Sequence, residues 1–403
     1  MNILFLTIYR INNISEKGIY TDLMRKFRDE GHNVYIVSPS ERRYNEPSRL
    51  HVHDGVNILN VKTLNLQKTN VIEKGFGTLL IEKQYLNAIK KHFASVNFDL
   101  ILYSTPPITF SKIINHIKKQ HKAKSYLLLK DIFPQNAVDL GLIKNELLLH
   151  KYFKAKEKKL YEVSDYIGCM SKANVKYILH HQPKLKNKIV EVNPNSIDPV
   201  PSNLTPEDKK AIRNKYGIPL NSRAFIYGGN LGKPQGIDFL IEVLKANINN
   251  ESFFVIVGNG TEYSKIDKWI STNNPSNVLL IPGLPKHEYD VLIQSCEVGL
   301  IFLDRRFTIP NYPSRLLSYL EYKMPIIAAT DPNTDIGKDA EEHGYGFWCE
   351  SGNINHINKK IKILSNDSAL VKTMGEKGHN YLLENFTVSK SYSIIMKHFN
   401  VNS

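Results

Sequence analysis

The sequence of 403 residues contains only three cysteines, and they stand far apart, at Cys169, Cys296 and Cys349. This spacing excludes a cysteine-based metal motif and is typical of a protein from a reducing compartment. No apolar run approaches ~18 residues, so the sequence predicts no transmembrane helix. Residues 1–7 lack the basic start and long apolar core of a signal peptide and indicate a buried first strand. These absences predict a cytoplasmic protein.

Metal-binding patterns are also missing. The 14 histidines show no HExxH-like spacing, and no Asp-x-Asp motif follows an apolar stretch. These are the patterns by which side chains commonly hold a catalytic or diphosphate-binding metal ion. The sequence therefore predicts no metal site and no cofactor.

The positive charge of the chain is unevenly distributed. Of the net charge of +14, residues 1–200 contribute +13 and residues 201–403 contribute +1, and lysine-rich stretches lie at 112–124 and 151–159. Two interpretations are open: a solvated helix face, or a first domain that meets an anionic surface such as the inner face of a cell membrane. No recognised nucleic-acid-binding motif is present, so nucleic acid ranks lowest as a partner.

Short apolar stretches alternate with helical ones, which is typical of parallel α/β architecture. The first series of strands is predicted at 2–7, 33–37, 100–103, 126–129, 166–170 and 189–192. A proline- and asparagine-rich stretch at 193–206 is typical of an interdomain linker. A second series of strands is predicted at 224–227, 253–257, 278–281, 298–302 and 326–329. The sequence therefore predicts two α/β domains, 1–195 and 196–388.

The segment 311–328 carries the strongest functional signal. Pro313 fixes its own φ and Ser314 can cap, so a helix is predicted to begin there and to run to about Glu321. The free N–H groups and the dipole of a helix N-terminus favour a phosphate, and Arg315 adds a full positive charge. Glu321 lies two turns on, near the face of Ser314 and Leu317, where a carboxylate can accept both hydroxyls of a ribose. One short helix is thus predicted to hold the diphosphate and ribose of a nucleotide.

This segment resembles the donor-site helix of the retaining glycosyltransferases of family 4, which have the GT-B fold. That family places two glutamates eight positions apart on this helix; the second matches Glu321, whereas Pro313 stands at the first position. The proline-serine-basic start is similar to a subgroup that includes fucosamine-transferase-like proteins of surface polysaccharide assembly. The resemblance implies two Rossmann-like domains with parallel sheets facing a central cleft. It also implies that the last helix, 389–403, returns to the first domain.

A glycine-rich turn at 227–236 opens the second domain, and glycines at a strand-to-helix turn let backbone N–H groups approach a phosphate. The family usually has an arginine near Asn230 and a lysine near Gln235. Since neither is present, Lys233 and Arg315 are the candidates to stabilise a diphosphate, although Lys233 is also explained as an exposed turn lysine. By resemblance, the nucleotide lies near the turn at 258–260 and backbone groups at 282–285 recognise the base, while simple tight turns are the alternative. The donor-binding residues predicted in this domain are Gly229, Asn230, Gly232, Asn259, Gly260, Gly283, Leu284, Ser314, Leu317 and Glu321.

Candidate residues of the first domain follow two of its predicted strands. Lys130 and Asp131 stand at the carboxyl end of 126–129, where similar family members have a polar residue that touches the donor sugar or its phosphates. Both are predicted to be catalytic, but Asp131 as the cap of the following helix is an equal alternative. Gly18 matches the glycine of the family's first loop, where donor and acceptor meet; it is also explained as the start of its helix.

The resemblance implies a metal-independent, retaining hexosyl- or N-acetylhexosaminyltransferase. Its donor would be a nucleotide sugar, UDP-linked, and its acceptor a saccharide on a polyprenyl pyrophosphate lipid, in capsule, O-antigen or other surface polysaccharide assembly. The enzyme would be peripheral, at the inner face of the membrane. Two alternatives stay open: a nucleotide-sugar epimerase of the same general fold, and a non-catalytic nucleotide-binding protein that kept the fold.

Overall fold

The computed structural model describes residues 1–66, 71–248 and 250–399. The chain divides into two structural units. The first comprises Met1–Asp198 together with the segment from Val388 onward, and the second comprises Pro199–Thr387. The unit boundaries thus fall within a few residues of 195 and 388.

The first unit has a sheet of the order β3-β4-β2-β1-β5-β6-β7-β8. All neighbouring strands are parallel except β3 and β4. Its strands are β1 (Asn2–Leu6), β2 (Asn33–Glu41), β3 (Arg49–His53), β4 (Val56–Thr63), β5 (Leu100–Ser104), β6 (Lys124–Leu129), β7 (Tyr166–Cys169) and β8 (Ile189–Val192). Its helices before the linker are α1 (Ile19–Asp29), α2 (Val71–His92), α3 (Ser111–His121), α4 (Gln135–Asp139), α5 (Leu148–Val163) and α6 (Lys172–His181).

The order of the strands locates a crevice in the first unit. The chain fills the sheet from β1 towards β2 and β4, and then returns to the other side of β1 with β5. Helices that leave neighbouring strands in opposite directions open a crevice at the carboxyl ends of those strands. Strand β5, with the mainly apolar sequence LILYS, is buried along its whole length, as expected for a strand covered on both faces. The crevice therefore lies beside the residues that follow β1 and β5.

The second unit has an all-parallel sheet of the order β11-β10-β9-β12-β13-β14. Its strands are β9 (Arg223–Gly228), β10 (Ser252–Val257), β11 (Val278–Ile281), β12 (Val298–Phe302), β13 (Ile326–Thr330) and β14 (Gly346–Glu350). Its helices are α7 (Pro206–Tyr216), α8 (Ile237–Ala246), α9 (Tyr263–Asn273), α10 (Lys286–Ile293), α11 (Arg315–Glu321), α12 (Ile336–Glu342), α13 (Ile354–Asn366) and α14 (Ser368–Asn385). The strand order reverses between β9 and β12, which places the crevice of this unit at the end of β9.

The last helix, α15 (Val388–Met396), belongs to the first unit. Val388 N donates to Ile197 O at 2.9 Å, and the Ser391 hydroxyl bonds Asn193 Oδ1 at 2.7 Å. The ring of Tyr392 packs edge-on against Phe27 of α1 with centroids 5.0 Å apart. These contacts fix the C-terminal helix to the linker side of its own unit.

Three strands are additional to those predicted from the sequence: β3, β4 and β14. β3 is a sheet edge with the polar-rich sequence RLHVH and leaves most of its residues exposed or half-buried, so it carries no apolar run. β14 has the mixed sequence GFWCE. Edge strands need only one partner and one covered face, and their local pattern is correspondingly weak.

Candidate active site

Glycine turns interlock at the carboxyl ends of β9 and β10. Gly229 has φ +132°, and its N–H donates to Val257 O at 2.9 Å. A Cβ at Gly258 would lie 1.8 Å from Gly229 O, and one at Gly260 would lie 2.2 Å from Leu231 O. Such distances exclude any side chain. The glycines are therefore required so that the two turns can pack backbone against backbone.

The interlocked turns bring most of the predicted donor-binding residues together. Leu231 N donates to Asn259 O at 2.9 Å, which joins the turn after β9 to the turn after β10. A Cβ at Gly283, after β11, would lie 2.5 Å from Asn259 Nδ2. The exposed members of this edge are Gly229, Asn230, Asn259, Gly260 and Gly283, whereas Gly232 is buried and Leu284 is half-buried. A surface of exposed backbone at a strand-order reversal suits an anionic ligand.

Arg315 reaches this edge from α11. Its Nη2 donates to Gln235 Oε1 at 2.6 Å, and its Cζ lies 4.3 Å from the centroid of the Tyr227 ring. A Cβ at Gly229 would lie 3.4 Å from Nη2, so the guanidinium borders the exposed glycine turn. Nη1 is buried and has no hydrogen-bond partner within the described residues. A buried guanidinium N–H without an acceptor is costly, so this group is prepared for an acceptor from a ligand.

Tyrosines hold this arrangement in place, and the sequence analysis did not single them out. A Cβ at Gly228 would lie 1.9 Å from Tyr289 Oη, so Tyr289 of α10 fills the space beside the end of β9. The Tyr319 hydroxyl accepts from Gly228 N at 3.3 Å and lies 3.2 Å from Ile226 O. The Tyr227 hydroxyl donates to Asn230 O at 2.7 Å. No local pattern marks these tyrosines, because their common feature is contact with one strand end.

Lys233 lies in different surroundings from Arg315. It is exposed and lines a cavity of about 490 Å³ with Arg305, Arg306 and Lys265 among the other lining residues. Lys265 bonds Asp238 at 3.0 Å, and Arg306 pairs with Asp304 at 2.8 Å. The expectation that Lys233 contacts the same diphosphate as Arg315 stays a prediction.

The helix of the 311–328 segment begins where the sequence predicts it, but without the predicted side-chain cap. α11 starts at Arg315, and Ser314 occupies the N-cap position, but its side chain makes no capping hydrogen bond in the described structure. The predicted cap is wrong because Ser314 has φ −64° and ψ −17°, whereas a capping residue normally has an extended backbone. Ser314 is exposed at this helix start.

Two other predicted donor contacts on α11 are buried. Leu317 is 4% exposed and Glu321 is 5% exposed. Glu321 Oε1 accepts from Val200 N at 2.8 Å, so this carboxylate fixes the first residues of the second unit. The contact of Glu321 with a ribose stays a prediction, and Ser314 and Arg315 are the less buried of the candidates on this helix.

In the first unit, Lys130 and Asp131 follow β6 next to Thr105, which follows β5. Thr105 Oγ1 accepts from Lys130 N at 3.0 Å and from Asp131 N at 3.1 Å. Both Asp131 oxygens accept from Asn136 Nδ2 at 2.8 Å, so Asp131 fixes a side chain of α4. The alternative in which Asp131 caps α4 is not what is observed, since α4 has Pro134 at its N-cap.

Lys130 has an unusual ionisation. Its Nζ donates to Asn193 O at 3.2 Å, and desolvation by burial lowers its pKa from 10.5 to about 7. At neutral pH the amine is therefore present in both protonation states. Such a lysine can accept a proton as well as pair with a phosphate.

We expect the cost of burying Lys130 to depend on pH. Below about pH 7 the Lys130 amine is protonated in both the folded and the unfolded chain, so the folded state bears the full free-energy cost of burying the charge. As the pH rises towards 10.5, the folded state loses this proton first and the cost falls. The free energy of unfolding of wild type minus that of Lys130→Met should therefore rise between pH 6 and pH 9. The change should be on the order of 1–2 kcal/mol, since a half-buried ammonium stays partly hydrated. Urea unfolding at both pH values measures it, and a difference that is independent of pH would contradict it.

Gly18 stands at the N-cap of α1. Its N–H donates to Asp22 Oδ1 at 2.9 Å, and Asp22 Oδ2 accepts from Asp198 N at 3.0 Å. Arg25 pairs with the same carboxylate at 2.7 Å. The structure thus gives Gly18 the helix-starting position that was one of the two interpretations, and a role in donor binding stays a prediction.

Comparison with known proteins bears on both units. Residues 208–381 match the family model "Glycosyl transferases group 1". The matched residues all lie within the second unit. The chain is 20% identical over 288 residues to the "Probable glycosyltransferase WbjE" of Pseudomonas aeruginosa, a match that covers 70% of this chain and 69% of that protein. It is 24% identical over 134 residues to the "Putative colanic acid biosynthesis glycosyl transferase WcaI" of Escherichia coli (strain K12), a match that covers 33% of each chain.

Solved structures establish the fold. Sucrose-phosphate synthase from Thermosynechococcus elongatus superposes with a TM-score of 0.76 at 15% identity, and HepE from Anabaena in complex with UDP does so with 0.68 at 14% identity. Both superpositions cover 100% of each chain. The predicted GT-B class, with two α/β units of mainly parallel sheets, is confirmed. The findings together support a glycosyltransferase similar to those of family 4.

Proposed function

We propose that this glycosyltransferase moves a sugar, with retention of anomeric configuration, from a UDP-linked sugar to a saccharide on a polyprenyl pyrophosphate lipid. The reaction would serve the assembly of a surface polysaccharide such as a capsule or O-antigen. The names of the relatives support this setting, since one of them is named for colanic acid biosynthesis. The proline-serine-basic start of the 311–328 segment further suggests the fucosamine-transferase-like subgroup, with a hexosyl or N-acetylhexosaminyl donor.

The observation that carries the proposal is the Arg315 guanidinium beside the glycine turns, with its buried Nη1. Its Nη2 donates to Gln235 Oε1 and its planar group lies over the Tyr227 ring, while Nη1 is buried without a partner among the described residues, beside the exposed Gly229. A diphosphate supplies the acceptor oxygens that such a site lacks. The family's usual arginine and lysine are absent at Asn230 and Gln235, and Arg315 brings a positive charge to the same turn.

In the proposed mechanism the bond between the anomeric carbon and the diphosphate oxygen breaks, and the sugar becomes oxocarbenium-like. Arg315 and the backbone N–H groups near Gly229 stabilise the negative charge that develops on the departing diphosphate. The acceptor hydroxyl oxygen attacks the anomeric carbon on the face that the diphosphate leaves. A phosphate oxygen of the leaving group takes the hydroxyl proton, so the products are the glycoside and the nucleoside diphosphate.

Product analysis tests the proposal. The protein is incubated with UDP-glucose, UDP-N-acetylglucosamine and UDP-N-acetylgalactosamine, each with and without polyprenyl-pyrophosphate saccharides extracted from membranes. We expect UDP release and a glycosylated lipid only with the lipid present, and an NMR coupling constant that shows the donor's anomeric configuration. A new nucleotide sugar formed without lipid would instead identify an epimerase, and UDP binding without turnover would identify a binding protein.

We also expect the transfer to need no metal ion. Within the described residues no group of three or more histidine, cysteine, aspartate or glutamate side chains is arranged to hold a metal. Arg315 and the glycine turns supply positive potential at the proposed diphosphate site. Activity in excess chelator should therefore equal activity without it. Loss of activity in chelator that magnesium or manganese restores would contradict this prediction.

A further inference from the structure

The turn that leads into α5 exposes an unusual run of leucines. Leu147, Leu148 and Leu149 follow one another and are 55%, 87% and 54% exposed, and Leu142 just before them is 58% exposed. Soluble proteins rarely expose consecutive large apolar residues unless the surface has a function. We call residues 142–149 the leucine turn.

The leucines of this turn are not buried against the inner face of α5. The inner face of α5 is already occupied by His150, Glu157, Leu160 and Tyr161, all of which are buried. Leu147 stands at the N-cap of α5, where leucine is among the least favoured residues, and it supplies no side-chain cap. The local structure therefore gives no reason for leucine at these positions.

Basic residues surround the leucine turn. Lys144 is exposed within it, and on the outer face of α5 Lys151, Lys158 and Lys159 are exposed in the following turns. Tyr152 lies on the same face, with Lys156 Nζ 5.5 Å from its ring centroid. The leucines at the N-terminal end of α5 suit the acyl-chain layer of a bilayer, and the lysines in the following turns suit the anionic headgroup layer.

We infer that the leucine turn inserts into the surface of an anionic membrane and that the lysines of α5 bind the headgroups around it. The inference rests on the proposed function in that it gives the protein access to a lipid-linked acceptor. It goes beyond charge attraction, because insertion adds an apolar contribution that salt does not screen. Within the described residues no helix is long and apolar enough to cross a bilayer.

Co-sedimentation of the whole chain with vesicles tests the inference. We expect binding to vesicles of phosphatidylglycerol and phosphatidylcholine, and much weaker binding to phosphatidylcholine alone. In 1 M salt, where charges are screened over ~3 Å, part of the binding should remain. Leu148→Asn should weaken partitioning about tenfold or more and remove the salt-resistant part. The matched control is Leu383→Asn on α14, which is 47% exposed and should behave as wild type.

Site-specific fluorescence locates the insertion. The three native cysteines are buried, so a cysteine introduced at position 148 can be labelled selectively. An environment-sensitive dye on Leu148→Cys should shift its emission to shorter wavelength when anionic vesicles are added, and the same dye on Leu383→Cys should not shift.

The inference would be overturned by complete release of wild type in 1 M salt, by unchanged partitioning of Leu148→Asn, or by a dye at 148 that stays in water. Self-association that Leu148→Asn abolishes, with no vesicle binding, would also overturn it and would assign the surface to a second copy of the chain. UDP affinity measured without vesicles separates this inference from the proposed function. Leu148→Asn should leave that affinity unchanged, and if wild type itself binds no UDP, the proposed function fails while the vesicle result still decides the inference.

Discussion

Replacing Arg315 by alanine is expected to lower turnover with the nucleotide-sugar donor by about 10²-fold or more. The variant removes the guanidinium that lies against Tyr227 and Gln235 and leaves a void where Nη1 had no partner. Because the charge on the diphosphate grows as the sugar leaves, kcat should fall more than KM rises. Steady-state kinetics measure both, and calorimetry with UDP and UMP should show that the loss of affinity is larger for the diphosphate.

Two further variants separate the role of Arg315 from simple packing. The double variant Gln235→Lys with Arg315→Gln moves the positive charge to the other partner of a 2.6 Å contact. Because a charge stays beside the turn, this variant should recover part of the activity that Arg315→Ala loses. The sequence made Lys233 and Arg315 equal candidates to stabilise the diphosphate, but Lys233→Ala should lower turnover less than Arg315→Ala because Lys233 is exposed and screened by water. Near-normal turnover in Arg315→Ala would contradict the proposed diphosphate site.

Replacing Gly258 by alanine is expected to reduce the free energy of unfolding by about 3 kcal/mol or more. Its Cβ would lie 1.8 Å from Gly229 O, so the turns after β9 and β10 would have to separate. That movement would also displace Gly229, which borders the Arg315 guanidinium, and UDP affinity should fall with stability. Urea unfolding and calorimetry measure the two effects.

Gly217 offers the matched control for Gly258. It ends α7 in the same unit with φ +69°, and a Cβ built there meets nothing within 4 Å. Alanine at 217 should therefore cost only the ~1–2 kcal/mol of a left-handed backbone and leave UDP affinity unchanged. Equal losses at 217 and 258 would show that backbone conformation, rather than the close contact between the turns, is what Gly258 supplies.

Local sequence patterns were enough to predict the class of fold and the sheet edge that carries the site. Short, mainly apolar runs predicted the strands 189–192, 278–281 and 298–302 with the bounds that the structure has. Of these, 298–302 is buried along its whole length, as expected for a parallel strand covered on both faces. Glycines that follow such runs mark the strand ends, which is why Gly229, Asn259, Gly260 and Gly283 were predicted near one ligand. The edge strand β3 and the mixed β14 escaped prediction because their patterns are local and weak.

Which side chains meet at that edge depends on contacts between elements that are distant in the sequence. Arg315 and Gln235 are 80 residues apart, and sheet order rather than any local spacing brings them to 2.6 Å. The same packing buries Glu321 against Val200 N, although helix geometry alone allows its carboxylate to face a ribose. Packing also leaves Leu148 exposed. An apolar run in a sequence predicts burial, but other residues already occupy the inner face of α5. Local patterns report contacts within a few residues, whereas burial and charge pairing at a site depend on elements that the chain brings together from a distance.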